Sequence, residues 1–171
     1  MKKIVLCFVL ILGCLGILML ATPFQTNTEY LRIHIRANSN LAIDQTVKYQ
    51  VKDAVVDFMI PMLTQCETIQ QSKKMISQNL SAIEKVAENV LCQNGFSYQA
   101  SAQIKNEEFP TRSYGDLTLE SGFYDALILN LGEGKGDNWW CVVYPPLCFV
   151  NGGTTANTFK SRILEIINSI F

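Results

Sequence analysis

Residues 132–149 read GEGKGDNWWCVVYPPLCF and constrain the fold more than any other stretch of the chain. Glycines at 132, 134 and 136 permit positive φ and close backbone approach, which marks a turn or loop. Residues 139–144 follow, aromatic and β-branched and bounded by turn residues, the pattern of a buried strand. Pro145 and Pro146 end it, because neither has an N–H for a ladder bond. Neighbours on a strand point to opposite faces, so Trp139 and Trp140 do not share one core layer. One of them is expected on the outer face or at a contact surface.

The N-terminus sets the compartment. Lys2 and Lys3 precede an apolar or glycine run at 4–21 that contains no charge. A helix needs roughly 20 such residues to span a bilayer, and lysines on its N-terminal side favour an N-in, C-out orientation. Residues 1–21 are therefore expected to be a signal peptide or a membrane anchor. Met19-Leu20-Ala21 is a poor small-x-small cleavage site, and Cys14 lies inside the apolar run rather than after it, against a lipoprotein cysteine. With Lys2 and Lys3 set aside, 12 basic side chains face 15 acidic ones, a net of -3. No run of Lys or Arg exceeds two residues, which argues against a nucleic-acid surface.

Residues 22–30 read as a polar linker, and 31–171 as one extracytoplasmic domain. Leu31, Ile33, Ile35 and Ala37 alternate with Arg32, His34, Arg36 and Asn38, which predicts a half-buried strand. Asn38-Ser39-Asn40 offers side chains to cap the helix that follows. That helix has an apolar stripe of Ile43, Val47, Val51, Ala54, Val55, Phe58 and Met62, and Pro61 should kink or end it near Ile60. Thr68 with Gln71 starts a second helix, striped by Met75, Ile76, Leu80, Ile83, Val86, Ala87 and Val90 and stopped at Asn94-Gly95. Alternation returns at 96–105, short strand signals follow at 114–119, and 123–131 is a mostly apolar strand expected to pair antiparallel with 139–144 across the glycine loop. Residues 151–157 form a connector, and an apolar stripe at 159–171 predicts a short C-terminal helix. Grouped helices and hairpin-joined strands predict a two-layer α+β fold, a largely antiparallel sheet with a pair of helices packed on one face.

Four cysteines lie beyond the leader. Cys141 and Cys148 flank the proline bend, and Cys66 and Cys92 bracket the second helix; these two pairings are favoured, with free buried thiols the alternative. The lone His34 has no second ligand at metal spacing and shares its strand face with two cations, which disfavour its protonated form. The row Arg32, His34, Arg36 is expected to be a solvated face or a contact surface, with Glu107, Glu108 or Asp116 as acidic neighbours. GEGKGD lacks the spacing of a P-loop and of a dinucleotide fingerprint. It is read as a hairpin loop that presents Glu133, Lys135 and Asp137. No cofactor and no small-molecule substrate are expected.

The GEGKGxNWWCVxxPPLCF run resembles the C-terminal signature of the stage II sporulation protein R family. The resemblance extends to LRIHIRANSN at 31–40, Asp44, Gln45, Lys48, VKDAVV at 51–56, Phe109-Pro110, Tyr114-Gly115 and GFYDAL at 122–127. Members are exported forespore signals that activate a membrane-embedded aspartic protease, which matures a mother-cell pro-sigma factor. The resemblance implies a ligand located between forespore and mother cell rather than an enzyme. The partner-facing residues expected are Glu133, Lys135, Asp137, Trp139 and Trp140 with Arg32 and Arg36, held by Cys141 and Cys148. The competing class is an exported cell-wall hydrolase or wall-binding module at the septum, with Glu133, Asp137, Glu107 and Glu108 as its acid and base candidates.

Overall fold

A computed structural model of the protein describes residues 26–114, 117–145 and 147. The apolar run at 4–21, Asp116, Cys148 and the stripe at 159–171 lie outside them. Among the described residues no helix is long and apolar enough to cross a membrane. The elements in order are β1 (Thr26–Arg36), α1 (Ala42–Leu63), α2 (Ile69–Gln78), α3 (Leu80–Gln93), β2 (Ala100–Phe109), β3 (Arg112–Tyr114), β4 (Leu117–Leu119), β5 (Gly122–Leu131) and β6 (Asn138–Tyr144).

The fold is α+β, and the described residues form three helices and a four-stranded sheet in the order β2-β5-β1-β6. The sheet is mixed rather than largely antiparallel, because its two central strands, β1 and β5, run parallel. Nor do β5 and β6 form the expected hairpin. β6 pairs antiparallel with β1, placing Trp139 opposite Ile35 and Trp140 opposite His34. The glycine loop therefore steps from β5 over the end of β1 to reach its other side. β1 also begins at Thr26, inside the expected linker.

The helices cover one sheet face. Val47, Val51, Val55, Met59 and Leu63 of α1 pack with Ile76, Ile83, Ala87 and Leu91 against Leu31, Ile33, Ile35, Leu127, Leu129 and Val143. This stripe is rotated from the expected one, since Ile43 is exposed while Asp44 and Lys48 are buried. Pro61 lies within α1, which continues to Leu63. Thr68 does cap α2, accepting from the Gln71 N–H at 3.2 Å, while Gln71 Oε1 accepts from the Glu67 N–H. The expected second helix breaks at Asn79, whose side-chain amide donates to the Met75 carbonyl at 2.8 Å and so competes with the helical ladder.

The other sheet face is not bare. Tyr30, Phe109, Leu119, Tyr124, Ala126, Ile128 and Val142 form a second buried cluster, against which Tyr114, Leu117, Trp140 and Leu147 pack. The antiparallel β3–β4 pair supplies part of this cover. With both faces covered, β5 reads as a continuous apolar run at 126–129, as a central strand does.

At Gly136 a Cβ would collide with the Ser39 carbonyl oxygen, whereas at Gly95 it would meet nothing within 4 Å. Gly136→Ala is expected to cost about 1–3 kcal/mol, the range of overpacking in close-packed regions. Urea unfolding measures this, with Gly95→Ala, subject only to backbone strain at φ +79°, as the comparison.

Candidate functional site

The glycine loop is bolted to the exit of β1. Asn38 Oδ1 accepts from the Glu133 N–H at 3.0 Å, and Asn40 Oδ1 from the Asp137 N–H at 2.6 Å. The Lys135 and Gly136 N–H groups donate to the carbonyls of Asn38 and Ala37. Beneath this contact Asp44, buried on α1, accepts from Ser39 Oγ at 2.5 Å, Tyr98 Oη at 2.8 Å and Asn38 Nδ2 at 3.0 Å. Burial alone would raise the Asp44 pKa, but these bonds outweigh it and hold the carboxyl below its ordinary range. One helical turn on, the Lys48 ammonium donates to Gln45 Oε1 at 2.6 Å and to the Asp137 carbonyl at 3.0 Å. Its burial lowers the Lys48 pKa, partly offset by the charge of Asp137.

Arg32, His34 and Arg36 do not form a solvated row. Arg32 is 0% and His34 2% exposed, because the second cluster covers this face. The Arg32 guanidinium lies 4.3 Å from the Phe109 ring centre and 4.9 Å from that of Tyr124, and its Nη2 donates to Tyr114 Oη at 2.7 Å. Its Nε and Nη1 find no acceptor among the described residues. The His34 ring stacks on Trp140 at 3.7 Å, with Nδ1 3.2 Å from Glu107 Oε2. Arg36 Nη2 donates to Glu107 Oε1 at 2.5 Å, so Glu107 is the acidic neighbour among those expected. Burial pushes the His34 pKa down and the Arg36 charge adds to it, against the opposing pull of Asn138 and Glu107. Burial would raise Glu107, but its bonds to Arg36 and His34 prevail and lower it.

The residues singled out in the sequence thus divide among three places. Glu133, Lys135 and Asp137 lie exposed on the loop, with a 2.7 Å ion pair joining Glu133 and Lys135. Trp139 packs on the helix side, beneath the Lys52 ammonium at 5.7 Å from its ring centre. Trp140 faces the other way with Arg32 and His34, and Arg36 shares that face. Glu107, expected as an acidic neighbour, joins Arg36 and His34, whereas Asp44 and Lys48 are site residues that the sequence reading did not anticipate. Asp44 and Lys48 stand four apart beside Val47, Val51 and Val55, so their burial could have been read from the stripe. Cys141 is disulfide-bonded, while its expected partner, Cys148, lies outside the described residues. Cys66 and Cys92 are both free, the first buried and the second exposed. The expected Cys66–Cys92 bridge is not made, because α3 carries Cys92 back toward the start of α1, about 21 Å along its axis at 1.5 Å per residue. A disulfide needs Cα atoms within about 7 Å.

Two measurements check this arrangement. Native alkylation followed by peptide mapping should label Cys92 rapidly, Cys66 slowly, and Cys141 only after reduction. The pH dependence of stability isolates His34, the only histidine. Its folded pKa lies below the ordinary 6.5, so the unfolded chain binds the proton more tightly and stability falls as pH drops through 6.5. Asp44, Glu107 and Asp125 are depressed as well and add their loss only below about pH 4.5. Between pH 7 and 5 the urea midpoint of wild type should therefore decline, and that of His34→Gln should stay flat.

The comparisons agree with this frame. The family model described as stage II sporulation protein R matches residues 27–154, from the second residue of β1 past the end of β6. The stage II sporulation protein R of Bacillus subtilis (strain 168) is 32% identical over 129 residues, covering 75% of this chain and 58% of that protein. The chain thus spans little more than half the length of this curated relative. No solved structure matches. Two thirds of the chain and more fall within the match, including the sheet from Asn27 onward and the latch that the glycine loop forms on the end of β1, and the chain belongs to the stage II sporulation protein R family.

Proposed function

We propose that this protein is an exported sporulation signal that activates a membrane-embedded aspartic protease and so starts processing of a mother-cell pro-sigma factor. Membership of the stage II sporulation protein R family carries this reading. Export is supported by Lys2 and Lys3 ahead of the apolar run at 4–21, which either directs secretion or anchors the domain in the membrane bordering the space between forespore and mother cell. In this reading the protein acts by being bound.

The disposition of its charged groups favours that role. Asp44 and Lys48 are engaged within the latch, and Glu107 is held by Arg36 and His34. Glu133 is exposed and ion-paired to Lys135. A wall hydrolase would need an acid and a base facing each other across a cleft, and the geometry lends that alternative no support.

Deleting the gene should leave the sigma precursor unprocessed during sporulation, and the full-length chain should restore its maturation. Immunoblotting of precursor and product reads the result. Undiminished processing in the deletion strain would overturn the proposal.

A further inference from the structure

The start of α1 breaks a local rule. Its N-cap residue is Leu41, in extended backbone at φ -63° and ψ 141°, with no side-chain capping bond. Ser, Thr, Asp and Asn suit this position and leucine does not. The polar residues just before it are committed elsewhere. Asn38 and Asn40 hold the glycine loop and Ser39 bonds Asp44. Leu41 is 66% exposed and Ile43 60% exposed, the two most exposed large apolar side chains among the described residues. Neither belongs to the buried clusters of the described residues, yet the backbone carrying them is fixed by the latch and by Gln45 Nε2 donating to the Ser39 carbonyl at 2.9 Å. A rule broken with no gain to the fold is the mark of a functional position.

The place of these residues is as informative as their exposure. β1 extends about 35 Å at 3.3 Å per residue. The chain enters β1 at Thr26, a few residues after the apolar run at 4–21, and Leu41 and Ile43 stand beyond its other end. Glu133 and Lys135, 68% and 76% exposed at their side chains, adjoin them through the contacts of the loop with residues 37–40.

We propose that Leu41 and Ile43, rimmed by Glu133 and Lys135, form the tip that the membrane-bound partner recognises. The partner's extracytoplasmic surface takes the two aliphatic side chains into an apolar pocket, and its own charges meet the ion pair at the rim. This inference rests on the signalling reading above. Where the apolar run at 4–21 serves as an anchor, it joins the domain at the Thr26 end of β1, and the tip lies at the other end. The occupant is protein rather than lipid, because Lys135 stands alone between Glu133 and Asp137 and the loop carries no basic cluster of the kind that recognises lipid headgroups.

The test uses the full-length chain in the deletion strain, with Leu41→Ser, Ile43→Ser, the pair, and Lys74→Ser on α2 at the Thr26 end as control. The pair is expected to lower precursor processing about tenfold or more, as loss of two buried anchors does. Its melting temperature should be unchanged or raised, since serine is the better N-cap. Lys74→Ser should process as wild type. Wild-type processing by the double variant overturns the tip alone; failure of the wild-type chain to restore processing overturns the signalling reading and the tip with it. A photoreactive residue placed at position 43 separates the occupants. An adduct with a membrane protein supports the proposal, and one with lipid, with residues of this chain or with a second copy overturns it.

Discussion

The fold turns on one crossing. β5 and β6 flank β1 on opposite sides, yet they are consecutive, so the chain between them must pass over the point where β1 ends. Passing close over another backbone leaves no room for Cβ atoms and strands polar backbone groups that need partners. Gly136 meets the first demand directly above the Ser39 carbonyl, while Gly132 and Gly134 supply positive φ on the approach. Asn38 and Asn40 meet the second by accepting the N–H groups of the crossing loop. Register follows from this. Once the loop is seated, Trp139 must lie on the helix side and Trp140 on the other, and a slip of one residue would exchange them.

Two kinds of buried polarity result. Under the crossing, the Asp44 carboxylate receives three donors and the Lys48 ammonium reaches two acceptors, so the charges are held by directed bonds. On the far sheet face the buried Arg32 guanidinium has, among the described residues, one hydrogen bond and a surround of aromatic rings. Removing such an ion from water costs several kcal/mol, and a desolvated cation over a ring face recovers about 2 kcal/mol. Three rings together are of the size needed to offset that cost. The Phe109, Tyr114 and Tyr124 cage is therefore the condition for Arg32 being buried at all, and β2, β3 and β5 are drawn onto one face around it.

Much of this was legible from residue pattern. Strand alternation marked β1 and the first six residues of β2, although β2 starts at Ala100 rather than Phe96 and runs on to Phe109 through residues expected in a loop. The Thr68–Gln71 pair marked the start of α2, the prolines marked the end of β6, and the two tryptophans were bound to diverge. What failed had a physical cause in each instance. Alternation between apolar and charged residues in β1 implies one wet face, and nothing local tells that distant aromatics at 109, 114 and 124 will close over it. Adjacent strands joined by a short glycine loop ordinarily form a hairpin, and only the long-range fit of β1 between them prevents it. The rotation of the α1 stripe follows from Asp44 and Lys48, whose partners at 38, 98 and 137 are set by tertiary contacts. As for the candidate site, the loop was recognised, but its residues were read as one surface when the strand pleat sends them three ways.

Part of what carries the family resemblance is the latch. Ala37, Asn38, Ser39 and Asn40, Asp44, Gln45 and Lys48, and the glycines and Asp137 of the loop all bond or abut one another across the end of β1. These are positions where a substitution leaves a buried donor or acceptor unsatisfied, at about 1–3 kcal/mol each. A signature of this kind reports how a surface is held rather than what touches it. The contact residues it holds out, Leu41 and Ile43 at the head of α1, answer to no such internal constraint. They are free to follow the shape of a partner while the frame behind them stays the same. A rigid frame also serves recognition directly, because side chains already fixed in place lose less freedom on binding. The chemical peculiarity of the 132–149 run and the exposure of an ill-suited leucine at a helix cap are then two sides of one arrangement, a stiff loop that holds an apolar tip in the open.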